Sequence, residues 1–162
     1  MFTIKEAKKE DLPQVKELIQ WGRKRQIESG NLNQWGPDYP SMELLEKDLC
    51  EGTIYLCEHE GKVIGTFSLF TTPDPTYKKI VKGEWLNNQP YATIHRIATD
   101  GSVKGAGQYC IKWVQERFDN VRIDTHEDNA AMRHILEKLG FQEVGIIYLA
   151  NGDERLAFHF AK

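Results

Sequence analysis

The 162-residue sequence predicts an α/β (α+β) fold, a mixed and largely antiparallel sheet flanked by helices. Three observations carry that expectation. The β-rich segments 53–58 and 62–71 are joined by a tight Glu60-Gly61 turn. A second pair, 141–149 and 155–160, flanks Asn151-Gly152, the strongest short hairpin signal in the chain. Between these hairpins, single strands alternate with segments of helical period.

Taken in order, Phe2, Ile4 and Ala7 mark a short first strand. Asp11 caps a helix with Leu12-Pro13 in its first turn, where the missing N–H of proline costs nothing. Val15, Leu18, Ile19 and Gly22 give that helix one buried face, and the pattern dissolves from Arg23 to Asn33. The stretch Gln34-Trp35-Gly36-Pro37-Asp38-Tyr39-Pro40 is predicted as an irregular loop. Ser41 then N-caps a short helix carrying Leu44, Leu45 and Leu49. After the first hairpin, 74–80 forms a helical turn and 91–99 a strand. The glycine-rich segment 101–107 leads into a helix containing Cys110, Trp113 and Val114, followed by a strand over 121–125. The helix after Asp128 lines up Ala131, Ile135, Leu136 and Leu139 and stops at Gly140, in the C′ position. The last hairpin completes a single domain over 1–162.

Composition removes several function classes. Lys plus Arg total 21 against 24 Asp plus Glu, a net charge of -3 and a pI near 6.0, so the basic field of a nucleic-acid binder is missing. Mean hydropathy is -0.54, and no apolar run approaches the roughly 20 residues of a membrane span. Charges from Lys5 onward leave no apolar core for a secretory signal, so a cytoplasmic setting is expected. Cys50, Cys57 and Cys110 form no C-x-x-C pair and are expected as reduced, packed thiols, with no metal site.

The most informative stretch is strand, Ser102-Val103-Lys104-Gly105-Ala106-Gly107-Gln108, then helix. Glycines at a strand-to-helix turn admit close backbone approach, and a helix start aims free N–H groups and its positive dipole end at a ligand. That combination favours a phosphate, with Lys104 adding a cation. The bland alternative is a tight turn. A Walker loop is absent, and Cys110 stands where a dinucleotide fingerprint needs its third glycine, which leaves a nucleotide-dependent oxidoreductase the poorest reading.

Ser102–Gly107 resembles the [QR]-x-x-G-x-[GA] phosphate loop of the GNAT superfamily of acetyl-CoA-dependent N-acetyltransferases. The run from Asn129 to Phe141, an Asn-led helix ending in E-K-L-G-F, is similar to the second signature of that family, and the element order agrees from Phe2 to Phe160. The resemblance implies a sheet splayed between its fourth and fifth strands. It implies acetyl transfer from acetyl-CoA, as co-substrate, to a primary amine of a small molecule or peptide, by direct attack in a ternary complex. The backbone of Ile97, Ala98 and Thr99 would pair with the pantetheine arm like an added strand. The N–H groups of Val103, Lys104, Gly105, Ala106, Gly107 and Gln108 would hold the pyrophosphate, and Asn129 would bond the cofactor from the opposite wall. A homodimer is compatible with this reading.

Two departures stand out. Ser102 replaces a long donor, and Leu136 stands where many relatives carry the tyrosine that protonates the departing thiolate. The second departure keeps open a non-catalytic acyl-CoA-binding sensor or interaction module. Strand alternation puts His95 and Arg96 on opposite faces. His95, the imidazole on the cofactor-bearing strand, is the candidate general base or else a structural histidine. Tyr148 is the candidate proton donor or else packing. Trp35 and Tyr39 either line the acceptor pocket or cap the core, and Cys110 is read as core.

Overall fold

The structure, a computed structural model, describes residues 1–36 and 38–162; Pro37 of the expected 34–40 loop lies outside the described residues. Among the described residues seven strands form one sheet in the order β1-β2-β3-β4-β5-β7-β6. They are β1 (Phe2–Glu6), β2 (Ile54–His59), β3 (Lys62–Phe70), β4 (Ala92–Thr99), β5 (Asn120–Thr125), β6 (Gln142–Tyr148) and β7 (Glu154–Ala161). The helices are α1 (Leu12–Glu28), α2 (Met42–Cys50), α3 (Ala106–Gln115) and α4 (Ala130–Lys138), with 3-10 turns at Lys9–Asp11 and Pro75–Tyr77. Among the described residues no helix is long and apolar enough to cross a membrane.

The element order is the expected one. α1, however, continues to Glu28, past the point where its apolar stripe fades. Tertiary bonds hold this polar end, because Arg25 donates to the carbonyl and the hydroxyl of Thr99 at the end of β4. Cys57 and Cys110 are buried as expected, but Cys50 ends α2 on its solvent side and is exposed.

All strand pairs are antiparallel except β4 with β5, which pair in parallel only at Ala92↔Val121 and Thr93↔Arg122. Beyond Thr93 the two strands separate. A bulge in β4 accompanies the separation. Ser68↔His95 and Thr66↔Ala98 set three residue steps on β4 against two on β3, and Arg96 takes up the extra residue with φ 52°. Such a bulge bends its strand and breaks alternation.

The two sheet faces differ in chemistry. α3 and α4 cover an apolar layer that includes Phe67, Leu69, Ile94, Ile123 and Leu136. α1 and α2 cover Ile54, Leu56 and Ala98 on the opposite face, together with Trp35. A Cβ added at Gly22 would sit 2.6 Å from the Ala98 Cβ, so the absence of a side chain there sets how closely α1 crosses β4.

The segment between β3 and β4 wraps the remainder of the α1/α2 face. Its Trp85 and Tyr91 rings enclose the Arg122 guanidinium at 4.3 and 4.1 Å. Under it, fully buried His159 accepts the Leu86 N–H at Nδ1 (3.1 Å), so its other nitrogen, Nε2, donates to Asn120 Oδ1 (2.9 Å). Burial, reinforced by the Arg122 charge, lowers its pKa to about 4. The neutral imidazole is therefore the folded form. Its contribution is complete above the ordinary histidine value of 6.5 and is lost as pH falls toward about 4, a loss of about 3 kcal/mol. The melting temperature should drop through that window. A His159→Gln variant should start lower and lose most of the slope.

Candidate active site

β4 feeds the chain into a turn closed by Asp100, whose Oδ1 accepts the Ser102 N–H at 2.9 Å and the Ser102 hydroxyl at 2.6 Å. The serine that replaces a long donor is thus committed to shaping the loop. Gly105 follows at φ 89°, left-handed backbone that glycine adopts without strain, and starts α3. The Tyr109 N–H bonds the Gly105 carbonyl at 2.9 Å, so the N–H groups ahead of it are those a helix start leaves unpartnered within the helix. A Cβ at Gly105 or Gly107 would meet nothing within 4 Å. Open space lies above these donors, and with Lys104 exposed beside them the loop fits a phosphate group.

Where β4 leaves β5, a cavity of about 610 Å³ opens toward the α1/α2 face. It brings together five residues singled out in the sequence: Trp35, Tyr39, His95, Ile97 and Asn129. Ala98 is buried under α1, and Thr99 is held by Arg25. The phosphate loop stands apart, at the other end of the free β4 edge.

His95 is aligned by a carboxylate. Its Nε2 lies 2.7 Å from Asp74 Oδ2, while Asp74 Oδ1 accepts the Thr76 N–H at 2.8 Å and the Thr76 hydroxyl at 2.6 Å. Burial works to raise the Asp74 pKa, but the hydrogen bonds from His95 and Thr76 outweigh it and hold the carboxyl at about 2. An ionised carboxylate only accepts, so the proton of a neutral His95 resides on Nε2 and the lone pair on Nδ1. Nδ1 faces Asp124 Oδ1 at 4.0 Å, beyond direct bonding, and that oxygen accepts the hydroxyl of buried Tyr77 at 2.6 Å. Burial and the Asp124 charge push the Tyr77 phenol well above its ordinary value, so it stays protonated.

Alternation would have turned Arg96 to the other face. The bulge instead puts both His95 and Arg96 on the cavity. Arg96 meets Asp48 of α2 at 2.6 and 2.9 Å, with both side chains nearly buried, and Nη1 donates to the Tyr39 hydroxyl at 3.0 Å. The expected acceptor-loop residues therefore do different work. Tyr39 is a half-exposed wall fixed by Arg96. Trp35 is 8% exposed and packs with Val15, Ile19 and Leu45, so it is core with one edge on the cavity. Trp35→Ala should lower stability by about 3–5 kcal/mol in denaturant unfolding, whereas Tyr39→Phe should leave it nearly unchanged.

Asn129 caps α4, its Oδ1 accepting the Met132 N–H at 3.1 Å, and its Nδ2 donates to Gln34 Oε1 at 2.9 Å. The same Gln34 oxygen takes Asn31 Nδ2 (2.9 Å), the Thr125 hydroxyl (3.2 Å) and the His126 N–H (3.4 Å). One amide thus ties the 34–40 loop to the end of β5 and the start of α4.

Tyr148 does not join this group. β6 is the outermost strand, and alternation turns Ile147 inward and Tyr148 outward, 39% exposed with its hydroxyl 3.5 Å from Glu154 Oε1. Leu136 is fully buried in the α3/α4 layer. The residues that sequence reasoning missed are Asp74, Asp124 and Arg155. Asp74 gave only a turn-forming signal. Asp124 and Arg155 were legible as charges inside strands of otherwise buried residues. Among the described residues no group of His, Cys, Asp or Glu is placed to hold a metal ion.

A sheet opened between β4 and β5, with a glycine loop at a helix start at one end of the gap and a polar cavity at the other, defines the acetyltransferase fold of the GNAT class. The family model for the GNAT acetyltransferases matches residues 15–141, and the chain belongs to that family. A comparison with curated proteins found no match. Among solved structures, a GNAT-family acetyltransferase from Streptococcus agalactiae 2603 superimposes with a TM-score of 0.91 at 29% identity, covering 99% of this chain and 95% of that one. The ribosomal-protein-S18-alanine N-acetyltransferase from Escherichia coli gives 0.64 at 19% identity, covering 99% and 94%. The NatC complex bound to Gag peptide and CoA gives 0.64 at 14% identity, covering 99% and 98%. The last two likenesses concern the fold.

Proposed function

We propose that the protein is an N-acetyltransferase that moves an acetyl group from acetyl-CoA to a primary amine by direct attack in a ternary complex. The observation that carries this reading is continuity. The free edge of β4 runs from the phosphate cradle to an imidazole aligned by a half-buried carboxylate.

In this reading the N–H groups of 103–108 and Lys104 hold the pyrophosphate, and the backbone of Ile97, Ala98 and Thr99 pairs with the pantetheine arm. Asn129 bonds it from the facing wall. The thioester supplies the acetyl group. The acceptor enters beside Trp35 and Tyr39 as an ammonium, whose pKa near 10 keeps it protonated at neutral pH and unable to attack. His95 Nδ1 takes that proton, while Asp74 holds the ring and stabilises the imidazolium formed. Arg96 stays charged and cannot act as a base. Leu136 and Tyr148 put no donor on the cavity, so the proton for the departing thiolate is assigned to solvent.

The buried Leu136 favours the second reading, a non-catalytic acyl-CoA sensor. A thiol-release assay over small amines and peptides separates the two. Release with one acceptor class is expected. A thermal shift with acetyl-CoA and no release from any acceptor would identify the sensor.

A further inference from the structure

We propose that Arg155 binds a carboxylate of the acceptor, so that the amine acetylated here belongs to a small amino acid carrying both groups. This rests on the acetyl-transfer reading and adds the second functional group of its substrate. Arg155, on β7, is only 5% exposed. It stands with Asn33 and Asp153 between the cavity beside His95 and a neighbouring one of about 370 Å³.

Its guanidinium donates from Nη1 to the Glu154 carbonyl and from Nη2 to the Gln34 carbonyl, each at 2.9 Å. Two neutral carbonyls fix the orientation of the fork without neutralising its charge. Among the described residues no carboxylate pairs with it, in contrast to Arg96, which meets Asp48 at 2.6 Å. Glu127 lines the neighbouring cavity without pairing with Arg155, and the other nearby acids bond neutral groups. Asp153 Oδ2 accepts Asn151 Nδ2 at 3.1 Å, Glu154 Oε1 faces the Tyr148 hydroxyl at 3.5 Å, and Asp124 Oδ1 takes the Tyr77 hydroxyl at 2.6 Å.

A cation removed from water without a counter-ion is costly, and a guanidinium has five N–H donors in a planar fork that matches a carboxylate. An anion arriving in the cavity would complete the site. On the His95 side of the same cavity, the Asp74 and Asp124 carboxylates create the opposite field, suited to an ammonium. The Asp74 and Asp124 carboxylates on one side and the unpaired arginine fork on the other favour a molecule with an amino group and a carboxylate, the fork supplying the paired donors that offset the Asp153 charge beside it.

The test uses the whole protein with three matched probe series: α- and ω-amino acids, their carboxamides, and plain alkylamines. Thiol release from acetyl-CoA and calorimetric titration into the CoA-loaded protein are read in parallel. At one or more chain lengths the acid should exceed its carboxamide and alkylamine by on the order of 10- to 100-fold in kcat/KM, chiefly through KM. Arg155→Lys, which keeps the charge but loses the fork, should lose part of that preference, and Arg155→Met should erase it. If the methionine variant does not fold, the wild-type series and the lysine variant decide. Equal binding and turnover of acids and carboxamides by the wild type overturns the assignment while leaving acetyl transfer intact. No thiol release from any amine, with an acid-over-carboxamide binding preference that Arg155→Lys weakens, overturns acetyl transfer and keeps Arg155 as a carboxylate site.

Discussion

Turnover of acetyl-CoA with an amine should fall by about 10²–10⁴-fold in His95→Ala, the range that general-base catalysis supplies, while acetyl-CoA binding is kept. Binding is spared because the phosphate loop lies at the far end of the β4 edge from the cavity. Asp74→Asn provides the internal control. An asparagine in place of the carboxylate that holds His95 at 2.7 Å removes both the acceptor for Nε2–H and the charge that stabilises the imidazolium. It should reduce kcat with little change in the KM for acetyl-CoA. Wild-type turnover in His95→Ala would return His95 to a structural role.

Gly107→Val should abolish the thermal stabilisation conferred by acetyl-CoA while leaving the free protein as stable as before. A Cβ at Gly107 meets no protein atom within 4 Å, so the folded chain accommodates the valine. The added methyl groups occupy the space in which a pyrophosphate would approach the helix start. Ligand at about 100 times its dissociation constant adds roughly 2.7 kcal/mol, which melting curves resolve clearly. NAD should give no shift with either protein. A full acetyl-CoA shift in the variant would move the phosphate site elsewhere.

Most of the fold was legible because its signals are local. Asn151-Gly152 specifies its hairpin within a few residues, and the α4 stripe from Ala131 to Leu139 declares a buried face without knowledge of what it packs on. The glycine-rich turn into α3 was legible for the same reason, being one contiguous run whose glycines and helix start form a single local structure. The cavity was legible only in part. Asp74 and Asp124 reach His95 through the wrap of the β3–β4 segment and through the sheet, and nothing near His95 in sequence announces them. The Arg96 bulge carries no glycine. Its positive φ persists because the buried Asp48 pair and the Tyr39 hydroxyl anchor the side chain, and those partners belong to other elements. The orientation of Tyr148 likewise followed from a register with β7 that a single strand does not encode.

The unlike faces of the sheet have an evolutionary consequence. The larger apolar cluster lies beneath α3 and α4, where Phe67, Ile123 and Leu136 pack and a change of volume opens a void. Asp124 and Arg155 are on the other face, beside a cavity that already holds solvent-sized space. A substitution there changes charge and shape in the cavity without loosening the layer that carries α3 and the glycine loop ahead of it. If the proposed assignment holds, a lineage built on this plan can exchange one acceptor for another in single steps while the loop ahead of α3 stays fixed. Laboratory selection for new amine substrates can follow the same route, beginning at Arg155 and the 34–40 loop.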